Sequence, residues 1–209
     1  MLPVNIRFDD EDEDEPDKKM AEHGEARDKT AAIEERLFKA RTVLIYGGID
    51  QKLAREVSAR LLALQSAGDD PITIYINSQG GHVESGDTIY DMIKFVKPEV
   101  RVVGTGWVAS AGALIYAAAK RENRFSLPNT RFLLHQPSGG AMGSASDFAI
   151  QAKEILRMRR RLNEIFAAET GQPVERVEKD TERDYWMSAQ QAVEYGLVGK
   201  IVQNATQIS

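Results

Sequence analysis

Three residue types in this chain could together perform nucleophilic catalysis: a serine at a strand-to-helix junction, a histidine at a strand end, and a carboxylate beside aromatics. The serine is Ser110, inside Gly104–Gly112 (GTGWVASAG). A serine at such a turn projects its hydroxyl outward, and the first N–H groups of the following helix lack intrahelical partners and can receive an oxyanion. Taken alone, a serine in this position is more often a helix cap. The histidine is His135, which closes the apolar run Arg131–Leu134 and precedes Gln136-Pro137 and glycines 139, 140 and 143. Of the other two histidines, His23 lies in an acidic segment and His82 beside two glycines, so His135 is the best general-base candidate. The carboxylate is Asp184, within DTERDYWM at 180–187. An acid there could accept the imidazole Nδ1 hydrogen and leave Nε2 free to take the Ser110 proton, although each acid of this stretch could equally serve as a cap or an ion-pair partner.

The elements that would position these groups follow from periodicity. Thr42–Tyr46 reads as a strand ended by Gly47-Gly48, and Leu53, Val57, Leu61 and Leu64 mark one face of a helix ended by Gly68. A second strand, Ile72–Ile76, runs into a loop at 77–83, before a helix carrying Ile89, Met92, Ile93 and Val96. The strand Val100–Gly104 then leads to Ser110 and a helix Ala111–Ala119. Strands alternating with helices predict an α/β fold with a mainly parallel sheet, whose strand-to-helix rim would gather Gly80-Gly81 and Ser110. Backbone N–H groups of Gly81 or His82, beside that of Ala111, are candidate oxyanion donors.

Downstream, Arg124–Leu127 and Arg131–Leu134 read as a hairpin across Pro128-Asn129. A long helix over 144–170 carries Phe148, Ala152, Ile155, Leu162 and Phe166 on one stripe, longer than packing on one domain requires. Its arginines 157, 159, 160 and 161 read as a solvated face or a salt-bridging interface. A short helix from Pro173 to Lys179, a helix Ala189–Tyr195 and a strand Leu197–Val202 complete the pattern.

Composition bounds the function. With 209 residues and no cysteine, a single cored domain without disulfides or thiolate chemistry is expected. Residues 1–30 hold 11 acids and 5 bases, including the run DDEDEDE at 9–15, and the remainder is close to neutral. That run predicts a mobile N-terminal segment, with the ordered domain over 31–209. The absence of a basic face argues against nucleic-acid binding. No apolar segment is long enough for a membrane span and the N-terminus is unlike a secretory signal, so a soluble, cytoplasmic protein is expected.

Four blocks, GGHV at 80–83, GWVASAGA at 106–113, LLHQPSGGAMGSASD at 133–147 and DTERDYWMSAQQAVEYGLVGKI at 180–201, resemble the proteolytic subunit of the Clp protease, ClpP. The resemblance spans about 31–203. It implies repeated β-β-α units of the ClpP/crotonase-like kind, with 144–170 as a protruding handle joining two seven-membered rings. It also implies a serine endopeptidase with Ser110 as nucleophile, His135 as base, Asp184 as orienting acid, and the N–H groups of Gly81 and Ala111 as oxyanion donors. Glu182 and Arg183 match positions that couple ring contact to the acid. Tyr75, Phe95 and Phe125 keep aromatic character where the family docks its partner, an AAA+ unfoldase that delivers unfolded polypeptides. No metal or organic cofactor is implied, and the chain lacks a GxxxxGK[ST] loop. Three departures stand out: an acidic stretch replaces the usual N-terminal segment, Gln79 stands where proline is usual, and Ala111 where methionine is usual. They leave room for a non-catalytic subunit of a mixed barrel built with a paralogue. A crotonase-type acyl-CoA enzyme, sharing the architecture, is a further alternative.

Overall fold

The computed structural model describes residues 30–137 and 143–208. The acidic run, the rest of the expected N-terminal segment up to residue 29, and Gly139 and Gly140 lie outside the described residues. The chain divides into two units, Met1–Ala40 and Arg41–Ser209. In the first, a helix over 30–39 (α1) pairs Lys39 with Glu35 one turn back, at 2.6 Å.

The second unit alternates strands and helices. β1 (Thr42–Ile49) is followed by α2 (Gln51–Ala67), β2 (Ile72–Gly81), α3 (Val83–Phe95), β3 (Val100–Ala109) and α4 (Ala111–Ala117). Asp50 begins α2 by accepting from the Leu53 N–H at 2.8 Å, and Ala54, Val57, Leu61 and Leu64 supply its buried face. β1, β2 and β3 pair in parallel, in that order. One face of this sheet is apolar and buried through Val43, Ile45, Ile72, Ile74 and Ile76, with α2, α3 and α4 packed near it. The other face leaves Leu44 41% and Tyr46 50% exposed.

Three strands run further than the sequence pattern indicates, β3 continuing past Gly104 to Ala109. β1 continues through Gly47-Gly48 to Ile49, and β2 through Gly80-Gly81, because the register shifts between Tyr46 and Gly48 and pairing resumes as Gly48 to Gly80 and Ile49 to Gly81. The glycines are therefore bulge and strand-end positions, not a terminating turn and loop.

β4 (Arg124–Ser126) and β5 (Arg131–Leu134) do not form the expected hairpin. Both lie parallel to β3, β4 along Val102–Gly104 and β5 along Trp107–Ala109. The Gly104 carbonyl is the pivot, accepting from the Leu127 N–H at 3.0 Å and the Thr130 hydroxyl at 2.9 Å. The intervening turn thus steps the chain along β3 instead of reversing it.

α5 (Ala145–Thr170) begins in a capping box of Ser144 and Asp147 and ends at left-handed Gly171. Only its last turns are buried, through Leu162, Asn163, Phe166, Ala167 and Thr170. Phe148, Ile150 and Leu156 are 49%, 61% and 63% exposed, so the expected apolar stripe meets the core only from Leu162 onward. Arg124, 1% exposed at the start of β4, holds the base of α5 through the Glu169 carbonyl at 2.7 Å and carboxylate at 2.6 Å. Burial lowers the guanidinium pKa, and the Glu169 carboxylate opposes that shift.

α6 (Val174–Asp180), β6 (Tyr185–Ser188), α7 (Ala189–Tyr195) and β7 (Lys200–Ile201) complete the unit. β6 pairs antiparallel with β5, and β7 extends the sheet beside β4. β7 is shorter than expected because Leu197 and Val198 donate to the Ala192 carbonyl of α7.

Candidate active site

Strand register brings the three reactive side chains together. Ala109 of β3 pairs with Leu133 of β5, so the next positions along these parallel strands lead to Ser110 and His135 at one end of the sheet. Leu134 pairs with Tyr185 across the antiparallel β5–β6 ladder. The residue following Leu134 and the residue preceding Tyr185 are then cross-strand neighbours, and these are His135 and Asp184.

The distances follow. His135 Nε2 lies 2.8 Å from Ser110 Oγ, and His135 Nδ1 lies 3.3 Å from Asp184 Oδ1. The tautomer with hydrogen on Nδ1 satisfies both contacts: Nδ1–H faces the carboxylate and Nε2 accepts from the serine hydroxyl. The imidazole and the acid of this relay differ in exposure, the His135 side chain being 28% exposed and that of Asp184 64%.

Ser110 is held in a backbone conformation that L residues rarely adopt, φ 56° and ψ −123°. Its N–H donates to the Leu133 carbonyl at 3.0 Å, while its own carbonyl accepts from Ala113 and Leu114 in the first turn of α4. These bonds hold the strained turn that aims Oγ at His135. Ala111 opens α4, so the residue four positions before it, Trp107, is a strand residue and offers its N–H no helical carbonyl.

Gly80 packs directly over the serine. A Cβ there would lie 2.5 Å from Ser110 Cβ and 2.9 Å from the Ala109 carbonyl oxygen, at a φ of +97°. Gly81 meets β1 as closely, and a side chain there would collide with the Ile49 carbonyl. Of the two candidate donors in this loop, His82 is already committed: its N–H donates to Ile49 O at 2.8 Å. Its ring is engaged as well, by Ser85 Oγ at 2.9 Å and Glu84 at 3.2 Å. Gly81 is left as the candidate.

Beside Ser110 and His135 opens a small hollow whose apolar walls are Val83, Leu114, Pro137, Leu162 and Phe166. No group of acids and histidines suited to a metal ion occurs among the described residues.

The family model for Clp protease matches residues 24–205. The chain belongs to the Clp protease family. Among its relatives, the ATP-dependent Clp protease proteolytic subunit 3 of Rhizobium johnstonii is 57% identical, over 95% of this chain and 99% of that protein. The ATP-dependent Clp protease proteolytic subunit 2 of Gluconobacter oxydans is 58% identical, over 94% and 91%. Among solved structures, ClpP1 from Listeria monocytogenes superposes with a TM-score of 0.78 at 56% identity, covering 85% of this chain and 99% of that one. The mixed α/β architecture read from the sequence is that of this Clp protease fold, and family membership sets aside the crotonase-type alternative.

The remaining sequence-derived positions differ in exposure. Glu182 and Arg183 are exposed, directly before Asp184. Tyr75 is half-buried and Phe95 is 72% exposed, whereas Phe125 is only 6% exposed and packs in a small cluster with Tyr75, Leu127, Val202 and Ile208. Phe125 therefore presents almost no surface of its own to a docking partner.

Gln136 has a structural part that sequence reasoning missed. Its N–H donates to the Thr181 carbonyl at 2.8 Å and its side-chain amide to the Glu182 carbonyl at 2.8 Å. These two bonds clamp the chain beside His135 to the loop that carries Asp184. A polar residue immediately after the base was the only signal available.

Proposed function

We propose that this chain is a serine endopeptidase subunit of a self-compartmentalised, Clp-type protease. The single observation that carries this reading is the relay Ser110 Oγ, His135 Nε2 and Nδ1, Asp184 Oδ1, at 2.8 and 3.3 Å, on a strained serine turn. Ser110 attacks a peptide carbonyl while His135 takes its proton. Asp184 holds the imidazole tautomer and stabilises the imidazolium. The oxyanion is received by the N–H groups of Gly81 and Ala111. His135 then returns the proton to the leaving amine, and water attacks the acyl-enzyme by the same base. The apolar hollow beside Ser110, narrow as it stands, accommodates at most a small group preceding the cleaved bond.

Two surfaces support assembly into rings. Parallel sheets are ordinarily covered on both faces, yet here one face exposes Leu44 and Tyr46. The outer half of α5 exposes Phe148, Ile150 and Leu156, as expected of a handle that packs against another subunit. In this reading two heptamers stack through the handles, Glu182 and Arg183 take part in ring contact, and an AAA+ unfoldase delivers unfolded polypeptides. Docking of that partner falls to Tyr75 and Phe95, with Phe125 supporting Tyr75 from below. The protein works in the cytoplasm, without metal or organic cofactor. A second reading, a non-catalytic subunit of a mixed barrel, rests on relatives that carry the numbers 2 and 3 as proteolytic subunits.

A fluorophosphonate probe, peptide turnover and native mass, compared for the wild type and Ser110→Ala, test the proposal. The expected result is labelling and cleavage by the homogeneous wild-type oligomer, both lost in the variant with its mass unchanged. An assembled wild type that neither labels nor cleaves refutes it.

A further inference from the structure

We infer that Gln79 is a positioning residue for the oxyanion loop, bracing Gly80-Gly81 against the β1 bulge through its side-chain amide; this rests on the serine-peptidase reading above. Gly80 and Gly81 stand side by side at φ +97° and +153°, a pair with little conformational preference of its own. Their orientation must come from bonds made by their neighbours. Beside the resumed ladder pairing of Gly48 with Gly80 and Ile49 with Gly81, five bonds tie the loop down, all to β1 or through Ser78. Ser78 Oγ donates to the Gly47 carbonyl at 2.6 Å and accepts from the Gly80 N–H at 3.0 Å. His82 N–H donates to Ile49 O at 2.8 Å. The Gln79 amide supplies a two-point contact: oriented to satisfy both partners, its nitrogen donates to Gly47 O at 3.2 Å and its oxygen accepts from Gly48 N–H at 3.2 Å.

Gly47 and Gly48 mark the register shift where the regular β1–β2 ladder is interrupted. The side chain of Gln79 therefore replaces ladder bonds at the place where the backbone cannot make them. The consequence reaches the site through strand alternation. Backbone polar groups of successive strand residues face opposite edges, so with His82 N–H on β1 the Gly81 N–H faces the other edge. That edge is the one shared with β3, whose end carries Ser110. Loosening Gly47 and Gly48 from Gln79 frees the Gly80-Gly81 peptide to rotate, and the donor is then no longer aimed in advance at the developing charge. Proline at this position would restrict the same segment through its ring; here a hydrogen-bonded side chain performs that restriction.

The test uses the full-length oligomer carrying Gln79→Ala or Gln79→Glu. Glutamate keeps the acceptor for Gly48 N–H but sets a carboxylate oxygen against the Gly47 carbonyl. For Gln79→Ala, kcat on a short fluorogenic peptide and the rate of fluorophosphonate labelling are each expected to fall about tenfold, a fraction of the 10²–10³ lost with a whole donor. Gln79→Glu should lose at least as much. Affinity for a peptide aldehyde, whose adduct carries the oxyanion, should fall by the same factor, with KM and native mass unchanged. Wild-type kcat and aldehyde affinity in Gln79→Ala, with Ser110→Ala inactive, overturn the inference and leave the serine reading standing. A loss accompanied by dissociation or a matching rise in KM also overturns it, in favour of a purely structural role. Full turnover in Ser110→Ala refutes the serine reading itself.

Discussion

Replacing Asp184 by asparagine tests the relay at its most exposed member. The carboxylate sits 3.3 Å from His135 Nδ1 with 64% of its side chain open to solvent. Its electrostatic benefit to the imidazolium formed in the transition state is bounded by Coulomb's law. At such a separation the interaction is about 1 kcal/mol in bulk water and about 4 kcal/mol at the effective dielectric of a protein surface. Since 1.36 kcal/mol is a factor of ten in rate, these bounds correspond to about fivefold and about a thousandfold. A fully enclosed triad carboxylate is worth about 10⁴. Asp184→Asn is therefore expected to lower kcat on a short peptide by about a hundredfold, near the geometric middle of the bounds. The assay is steady-state turnover of a fluorogenic peptide by the assembled oligomer, with native mass as control. A loss of 10⁴ or more would mean that the acid works in a water-excluded setting. A loss of less than about threefold would remove Asp184 from the relay altogether.

Four further outcomes follow from the packing. Gly80→Ala puts a methyl group 2.5 Å from Ser110 Cβ. Peptide turnover should fall about a hundredfold through displacement of the serine, and unchanged turnover would contradict the close contact. Ser110→Gly relieves the φ of 56° whereas Ser110→Ala keeps it; in urea unfolding the glycine variant should be more stable than the alanine variant by about 1 kcal/mol. Arg124→Met leaves Glu169 Oε2 and the Ala119 and Glu169 carbonyls without their Arg124 donor, while Glu169 Oε1 keeps Tyr90 and Lys94. A loss of about 3–5 kcal/mol in the same assay is expected, and a change below about 1 kcal/mol would show the network to be dispensable. Leu162→Ala widens the hollow beside Ser110, and the ratio of kcat/KM for phenylalanine over alanine before the cleaved bond should rise about tenfold or more.

Much of this was legible from residue types alone, for identifiable reasons. The helices α2 and α3 announce themselves through 3.6-residue periodicity and the stops at Gly68 and Pro98, and their observed spans, Gln51–Ala67 and Val83–Phe95, follow those signals, while α7 is found at the expected Ala189–Tyr195. Ser110 and His135 stood at element boundaries that a period-based reading locates, whereas Asp184 was marked only by the aromatics beside it, the short strand β6 it precedes being too brief to show a period. What periodicity does not encode is partnership between strands. β4 and β5 carry the signature of a hairpin, an apolar pair across Pro-Asn, and only the Gly104 carbonyl, reached from 23 and 26 residues away, turns them into successive neighbours of β3. The same holds for Gly47-Gly48 and Gly80-Gly81, which resemble turn signals one at a time. Paired across a bulge they continue two strands. The roles of Gln79 and Gln136 were invisible for a related reason: each acts on a carbonyl of a distant segment, and side-chain-to-backbone bonds leave no trace in composition.

Under the serine-peptidase reading, the exposure of Asp184 would link catalysis to assembly by a physical route. Glu182, Arg183 and Asp184 form one exposed stretch, fastened to the His135 strand by the two bonds of Gln136 to Thr181 and Glu182. The acid is thus aligned through the backbone of a surface loop and not through a buried partner. Anything that covers this stretch excludes water from a pair whose attraction rises about fourfold between bulk water and a protein-surface dielectric. A subunit contact on Glu182 and Arg183 would then raise turnover without moving the serine at all. The expected signature is an Asp184→Asn penalty that is larger in the assembled oligomer than in dissociated subunits. Equal penalties in the two states would mean that subunit contact leaves the solvent around this acid unchanged.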